Sequence, residues 1–173
     1  MFFTLANIVS LSRLALAVAF VLARTPLQQV LLVAAAGLTD FIDGFIARHF
    51  NQRTRVGEVL DPITDKLFVA TVVVTLIARG RMGVFSALLL MLRDFYNALA
   101  FLVIYVRKFP IRMKARFSGK VVTVLQMITI VAFVLWPERA LPFLLATVVV
   151  SIYSIYDYTS DGRRSLREAR SAP

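Results

Sequence analysis

Thr39–Lys66 reads TDFIDGFIARHFNQRTRVGEVLDPITDK and carries Asp40, Asp43, Asp61 and Asp65 at the edges of apolar runs long enough to cross a bilayer. Four of the chain's ten acidic residues therefore stand where a membrane penalises each by about 2.5–3.5 kcal/mol. Asp40 and Asp43 are spaced i, i+3 and share one helical face, which the small Gly44 and Ala47 continue. Asp61 and Asp65 are spaced i, i+4 and share another. The segment between the two helices is short, which makes them antiparallel neighbours whose carboxylates converge. Such a cluster repels itself unless a cation lies within it, and an all-oxygen donor set suits hard Mg2+ or Mn2+, often completed by substrate phosphates. Small residues at 44, 47 and 57 leave room for a ligand, and Arg48 is placed to face a phosphate. The plainer reading makes these residues interfacial caps, with Asp61 an N-cap before Pro62 at the first helical position. It accounts for one aspartate better than for four. A cation or proton pathway in a transporter is the competing functional reading.

The surrounding chain sets the class. Of 173 residues 59% are hydrophobic and 17% charged, against about 45–50% and about 25% in soluble domains. The excess runs along the whole chain, as in a polytopic membrane protein. There is no cysteine, which excludes disulfides, thiolate metal sites and cysteine nucleophiles. His49 is the single histidine and argues against a histidine-based zinc centre. The net charge of +10 comes from basic residues clustered between apolar runs, a pattern for an anionic lipid surface rather than for nucleic acid. The first residues lack a basic leader and a small-residue cleavage site, and read as a retained span.

At about 20 residues per crossing, six spans emerge over 6–23, 27–48, 58–78, 83–106, 119–136 and 139–158. The expected fold is all-α: one six-helix transmembrane domain over 1–160, followed by a short basic tail over 161–173. The 48–57 and 107–120 loops and the tail carry 13 basic residues, against four (Arg24, Arg79, Arg81 and Arg139) in the opposite loops. That bias places both termini, and the four aspartates, on the cytoplasmic side.

The positions Asp40-x2-Asp43-Gly44-x2-Ala47-Arg48-x8-Gly57-x3-Asp61-x3-Asp65 resemble, with every spacing intact, the signature of the CDP-alcohol phosphotransferases, membrane enzymes of phospholipid synthesis. The likeness extends to the length and the six-span pattern. It implies a homodimer with a polar cavity open to the cytoplasmic leaflet, a lipid-linked cytidine diphosphate and two divalent metals. By position, Asp40, Asp43 and Asp61 would hold metal, with Asp65 near the metals and acting as general base on the acceptor hydroxyl. Gly44, Ala47, Arg48 and Gly57 would shape the nucleotide and diphosphate pocket. A transporter would instead show paired broken helices near the midplane, whereas these aspartates flank one loop. A structural membrane subunit is the third reading.

The acceptor is less sharply marked. NQRTRVGEVLDPITDK and GKVVTVLQM (Gly119–Met127) are similar to bacterial phosphatidylglycerophosphate synthases, which use glycerol 3-phosphate. GLTDFIDGFIAR, the Arg93-Asp94 pair and SIYSIYDY are also similar to cardiolipin synthases, which use phosphatidylglycerol. The first acceptor is preferred, in a bacterial inner membrane with the site facing the cytoplasm. Arg93 and Lys120 are candidates for an acceptor phosphate, with an ion pair to Asp94 or to another span as the structural alternative for Arg93. Lys114 and Arg116 read as lipid-headgroup contacts, and Asn7 and Arg13 resemble an Asn…Arg pattern of the family's first spans. Trp136, Tyr153, Tyr156 and Tyr158 fit an interfacial aromatic belt.

Overall fold

The computed structural model describes the backbone of residues 5–49, 55–106 and 117–171, and side chains over 11–39, 63–100, 102–103 and 119–160. Among the described residues every regular element is helical. These are α1 (Leu5–Leu22), α2 (Pro26–His49), α3 (Arg55–Ala78), α4 (Val84–Leu90), α5 (Leu92–Val106), α6 (Phe117–Leu135) and α7 (Leu141–Ser171), with a 3-10 turn over Pro137–Arg139. They group into two compact units. One comprises Met1–Met82 with Phe133–Pro137, the other Gly83–Ala132 with Glu138–Pro173.

In the first unit α1 packs against both α2 and α3. The α1–α2 turn is closed by a reciprocal cap. The Gln28 amide donates to Thr25 Oγ1 at 3.3 Å, while Gln28 Oε1 accepts the N–H groups of Arg24 and Thr25 at 3.1 Å each. This capping box, with Pro26 at the first helical position, satisfies donors that a helix start otherwise leaves orphaned. The end of α3 is set by Gly80, whose φ of +68° a Cβ-bearing residue adopts only at a cost. Gly80 N donates to the Ile77 carbonyl and Arg81 N to the Leu76 carbonyl, each at 2.9 Å, the paired bonds of a Schellman stop. Phe68, Val72 and Leu76, four apart, form the buried stripe of α3, and Ala17 and Phe20 are buried on α1.

Two arginines after α3 lock helix ends. Arg79 Nη2 donates to the Val21 carbonyl at 2.7 Å, and Arg81 Nη1 to the Val134 carbonyl. Both acceptors lie one residue before a helix C-terminus, where carbonyls lack helical partners and a cation meets the negative end of the dipole. The Arg79 bond sets the C-terminal ends of α1 and α3 side by side.

In the second unit α4 and α5 each pack on α7. Residues 83–106 were expected as one continuous span; the structure breaks them at Met91 (φ −92°, ψ 4°). The cause is a side chain in the ladder. Gln126 Nε2 of α6 donates to the Leu90 carbonyl at 2.9 Å and to Asp94 Oδ2 at 2.8 Å, and an uninterrupted helix would give that carbonyl to the Asp94 amide. Further along, Thr129 Oγ1 and Thr147 Oγ1 share a 2.8 Å hydrogen bond between α6 and α7. The helix α7 also continues to Ser171, so most of the expected tail is helical.

The polarity of α7 is inverted relative to a water-soluble helix. Thr147, Ser151 and Ser154 are fully buried, whereas Leu145, Val149, Ile152 and Tyr156 are exposed. Polar residues inside and large apolar ones outside are the arrangement of a helix that meets lipid. Among the described residues Leu141–Ser160 is the one segment long and apolar enough to cross a membrane alone, and shorter apolar stretches run over Leu11–Leu22, Pro26–Thr39 and Gly119–Leu135.

Candidate active site

The carboxylate motif is divided between two helices that both pack on α1. Asp40, Asp43, Gly44, Ala47 and Arg48 fall on the C-terminal half of α2, and Gly57, Asp61 and Asp65 on the N-terminal half of α3. The two halves lie at the same end of the unit, because α2 reverses direction after α1 while the C-termini of α1 and α3 are joined by Arg79. At 1.5 Å per residue, Asp40 and Asp43 stand about 21–26 Å from the start of α2, and Asp61 and Asp65 about 20–26 Å from the end of α3. The backbone therefore brings both pairs to a common level. The side chains at 40–62 lie outside the described residues, as do those of Asn7, Lys114 and Arg116.

Asp65 is described and half-buried. Beside it on α3 stand Thr64, at 2% exposure, and Lys66; on α1 Arg13 is 1% exposed. None of Ser12, Arg13, Thr64, Asp65 and Lys66 is without a partner. Arg13 lies midway along α1 and is engaged, although its Nε and Nη1 are buried with no hydrogen-bond partner among the described residues. The donor set fits a hard divalent cation: Asp40, Asp43, Asp61 and Asp65 offer oxygen ligands only, as Mg2+ or Mn2+ requires.

The second unit holds the expected acceptor residues. Arg93 and Asp94 open α5, and each is 7% exposed. Their side chains take different partners. Asp94 receives Gln126, whereas Arg93 reaches α6 and α7: its Nη2 is 2.6 Å from where a Cβ on Gly119 would sit, and its Cζ stands 6.0 Å over the centroid of the Tyr158 ring. Arg93 Nε is buried with no hydrogen-bond partner among the described residues, and so are Asn97 Oδ1, Ser151 Oγ and Ser154 Oγ. Lys120, next to Gly119 in the first turn of α6, is exposed. Tyr158 is half-buried beside Arg93, unlike Trp136, Tyr153 and Tyr156, which are exposed as an aromatic belt requires. Gln126, Gly119 and Tyr158, which meet Asp94 or Arg93, are not among the residues that the sequence singles out for a site. The one available signal was an uncharged amide and a glycine amid apolar helix, without a stated partner.

The family model for CDP-alcohol phosphatidyltransferase matches residues 3–155. The chain belongs to that family. The membrane association of that family agrees with the outward-facing apolar residues of α7. Among similar proteins, the CDP-diacylglycerol--glycerol-3-phosphate 3-phosphatidyltransferase of Pectobacterium atrosepticum is 30% identical over 186 residues, covering 96% of this chain and 98% of the relative. The protein of the same name from Aquifex aeolicus is 38% identical over 108 residues, 60% of this chain and 61% of the relative. Human cardiolipin synthase (CMP-forming) is 29% identical over 193 residues, covering 95% of this chain and 63% of the relative. The chain thus spans under two thirds of the Aquifex and human proteins, and nearly all of the Pectobacterium one.

Proposed function

We propose that this CDP-alcohol phosphatidyltransferase moves the phosphatidyl group of CDP-diacylglycerol to glycerol 3-phosphate, forming phosphatidylglycerophosphate and CMP. The observation that carries the reading is the near end-to-end likeness to the Pectobacterium enzyme of that activity. The buried, cationic Arg93 supports a phosphorylated acceptor. Cardiolipin synthesis with phosphatidylglycerol as acceptor is the second reading, favoured by the human relative that aligns with 95% of this chain.

Asp40, Asp43 and Asp61, with Asp65 at their edge, would hold two divalent cations, Mg2+ or Mn2+. Bound metal would neutralise the diphosphate and the charge developing on CMP. Gly44, Ala47 and Gly57 leave space for the nucleotide, and Arg48 supplies a fork of donors to a phosphate. Asp65 takes the proton of the acceptor hydroxyl. The acceptor's hydroxyl oxygen then bonds to the phosphorus bearing diacylglycerol, while the bond from that phosphorus to the CMP oxygen breaks and CMP leaves. Arg93 and Lys120 bind the acceptor phosphate. The work of these side chains is positioning and electrostatic stabilisation, the usual demand of phosphoryl-type transfer.

In this reading the chain is one six-span catalytic domain over 1–160 with a basic tail over 161–173. Both termini face the cytoplasm of a bacterial inner membrane, and two copies form a homodimer. The experiment is a CMP-release assay on purified protein with CDP-diacylglycerol, Mg2+ and each acceptor. Release with glycerol 3-phosphate supports the reading; no release with any alcohol overturns it.

A further inference from the structure

We propose that Gly119 and Tyr158 are positioning residues that aim the Arg93 guanidinium at the anionic group of the acceptor, and so set the preference for a phosphorylated acceptor. The inference rests on the reading that Arg93 binds that group.

Three helices contribute one residue each to the same point. The position a Cβ would take on Gly119 is 2.6 Å from Arg93 Nη2, 3.5 Å from Arg93 Cζ and 3.1 Å from the Tyr158 hydroxyl. At 2.6 Å no real side-chain carbon fits, so the end of the guanidinium uses the volume that the glycine leaves open. Arg93 sits between the Tyr158 ring on α7 and the first turn of α6. Its burial is not matched by hydrogen bonds: the residue is 7% exposed and Nε has no partner among the described residues. Among the described residues the guanidinium is met by a ring face and a glycine gap, with Nε unpartnered, which leaves it donors to offer a ligand. The α6 N-terminus adds the positive end of a helix dipole and the exposed Lys120 to the same neighbourhood. An acceptor with a phosphate would use all three; an uncharged alcohol would use none.

The arrangement predicts which kinetic constant responds. Gly119→Ala pushes the guanidinium out of the gap, and Tyr158→Leu removes the ring beneath it. Each should raise the KM for glycerol 3-phosphate by about 10-fold or more, the scale of a lost hydrogen bond to a charged group. The KM for CDP-diacylglycerol should stay within about 2-fold, since a purely acceptor-side contact contributes only to acceptor binding. Tyr158→Phe, which keeps the ring, should fall between Tyr158→Leu and the parent chain.

The deciding measurement is a double-mutant cycle on the acceptor KM in full-length protein, with Arg93→Gln as the second substitution. Residues acting through one another are non-additive, so Gly119→Ala and Tyr158→Leu should have little further effect once Arg93 is Gln. Additive effects, or equal rises in both KM values, would overturn the proposal. Should Gly119→Ala not fold, the Tyr158 series and its cycle with Arg93→Gln decide alone. If Arg93→Gln itself leaves the acceptor KM unchanged, the parent reading of Arg93 fails and this proposal with it. If Arg93→Gln raises it while Gly119→Ala and Tyr158→Leu do not, only the positioning role fails.

Discussion

Arg79 Nη2 donates to the Val21 carbonyl at 2.7 Å, fastening the residue that follows α3 to the end of α1. Arg81 makes the equivalent bond to Val134, near the end of α6. Read as sequence, these arginines were two of only four basic residues in the loops on one side of the chain. Two members of that sparse set cap helix C-termini, so their presence there reflects local structure as well as loop charge. Replacing either with Ala should destabilise the chain by about 1 kcal/mol, the usual worth of a cation at a helix C-terminus. Thermal unfolding in detergent would read this as a fall in Tm of a few degrees, and the double variant should lose about the sum of the two.

Gly80 provides a second stability test. Its φ of +68° is the left-handed conformation that L side chains occupy at a cost of about 1–2 kcal/mol. A Cβ there meets nothing within 4 Å, so Gly80→Ala isolates backbone strain from crowding. A lowered Tm is expected, with Gly80→Asn less affected than Gly80→Val. Equal stability of all three would show that the turn does not depend on its Schellman geometry.

The break at Met91 depends on Gln126. Gln126→Leu leaves Asp94 and the Leu90 carbonyl without that donor inside the second unit, at a cost of about 1–3 kcal/mol for groups so buried. Asp94→Asn should cost less, because an amide oxygen still accepts from Gln126. Comparing the two variants by thermal unfolding tests the ordering, and a larger loss in Asp94→Asn would contradict it.

Much of this was legible in the sequence, and the exceptions share a cause. Thr25-Pro26-Leu27-Gln28 spells a capping box, and Gly80 after an apolar run spells a helix stop, because both signals are local. The motif from Asp40 to Asp65 pointed to the family because its spacing carries the information. The interruption of 83–106 was hidden because its agent, Gln126, lies 36 residues from the carbonyl it engages. Tyr158 was hidden because an aromatic near a span end has an ordinary interfacial role. The use of Gly119 became visible only once Arg93 occupied the missing side chain's space.

For the carboxylate site, Asp65→Asn should lower kcat by about 100-fold to 10,000-fold, the range of general-base catalysis, while CDP-diacylglycerol binding is largely retained. Asp61→Ala should instead raise the Mg2+ concentration needed for half-maximal activity and weaken nucleotide binding with it. Metal titration and a binding isotherm on both variants separate the roles. Full activity in Asp65→Asn would remove it as the base, and an unchanged Mg2+ titration in Asp61→Ala would remove that residue from the metal site.

The most direct test is product identification by purified protein given CDP-diacylglycerol, Mg2+, glycerol 3-phosphate and phosphatidylglycerol together. CMP and phosphatidylglycerophosphate are expected in equal amounts, with phosphatidylglycerol left unconsumed. Formation of cardiolipin in place of phosphatidylglycerophosphate, or no CMP at all, would contradict the proposed activity.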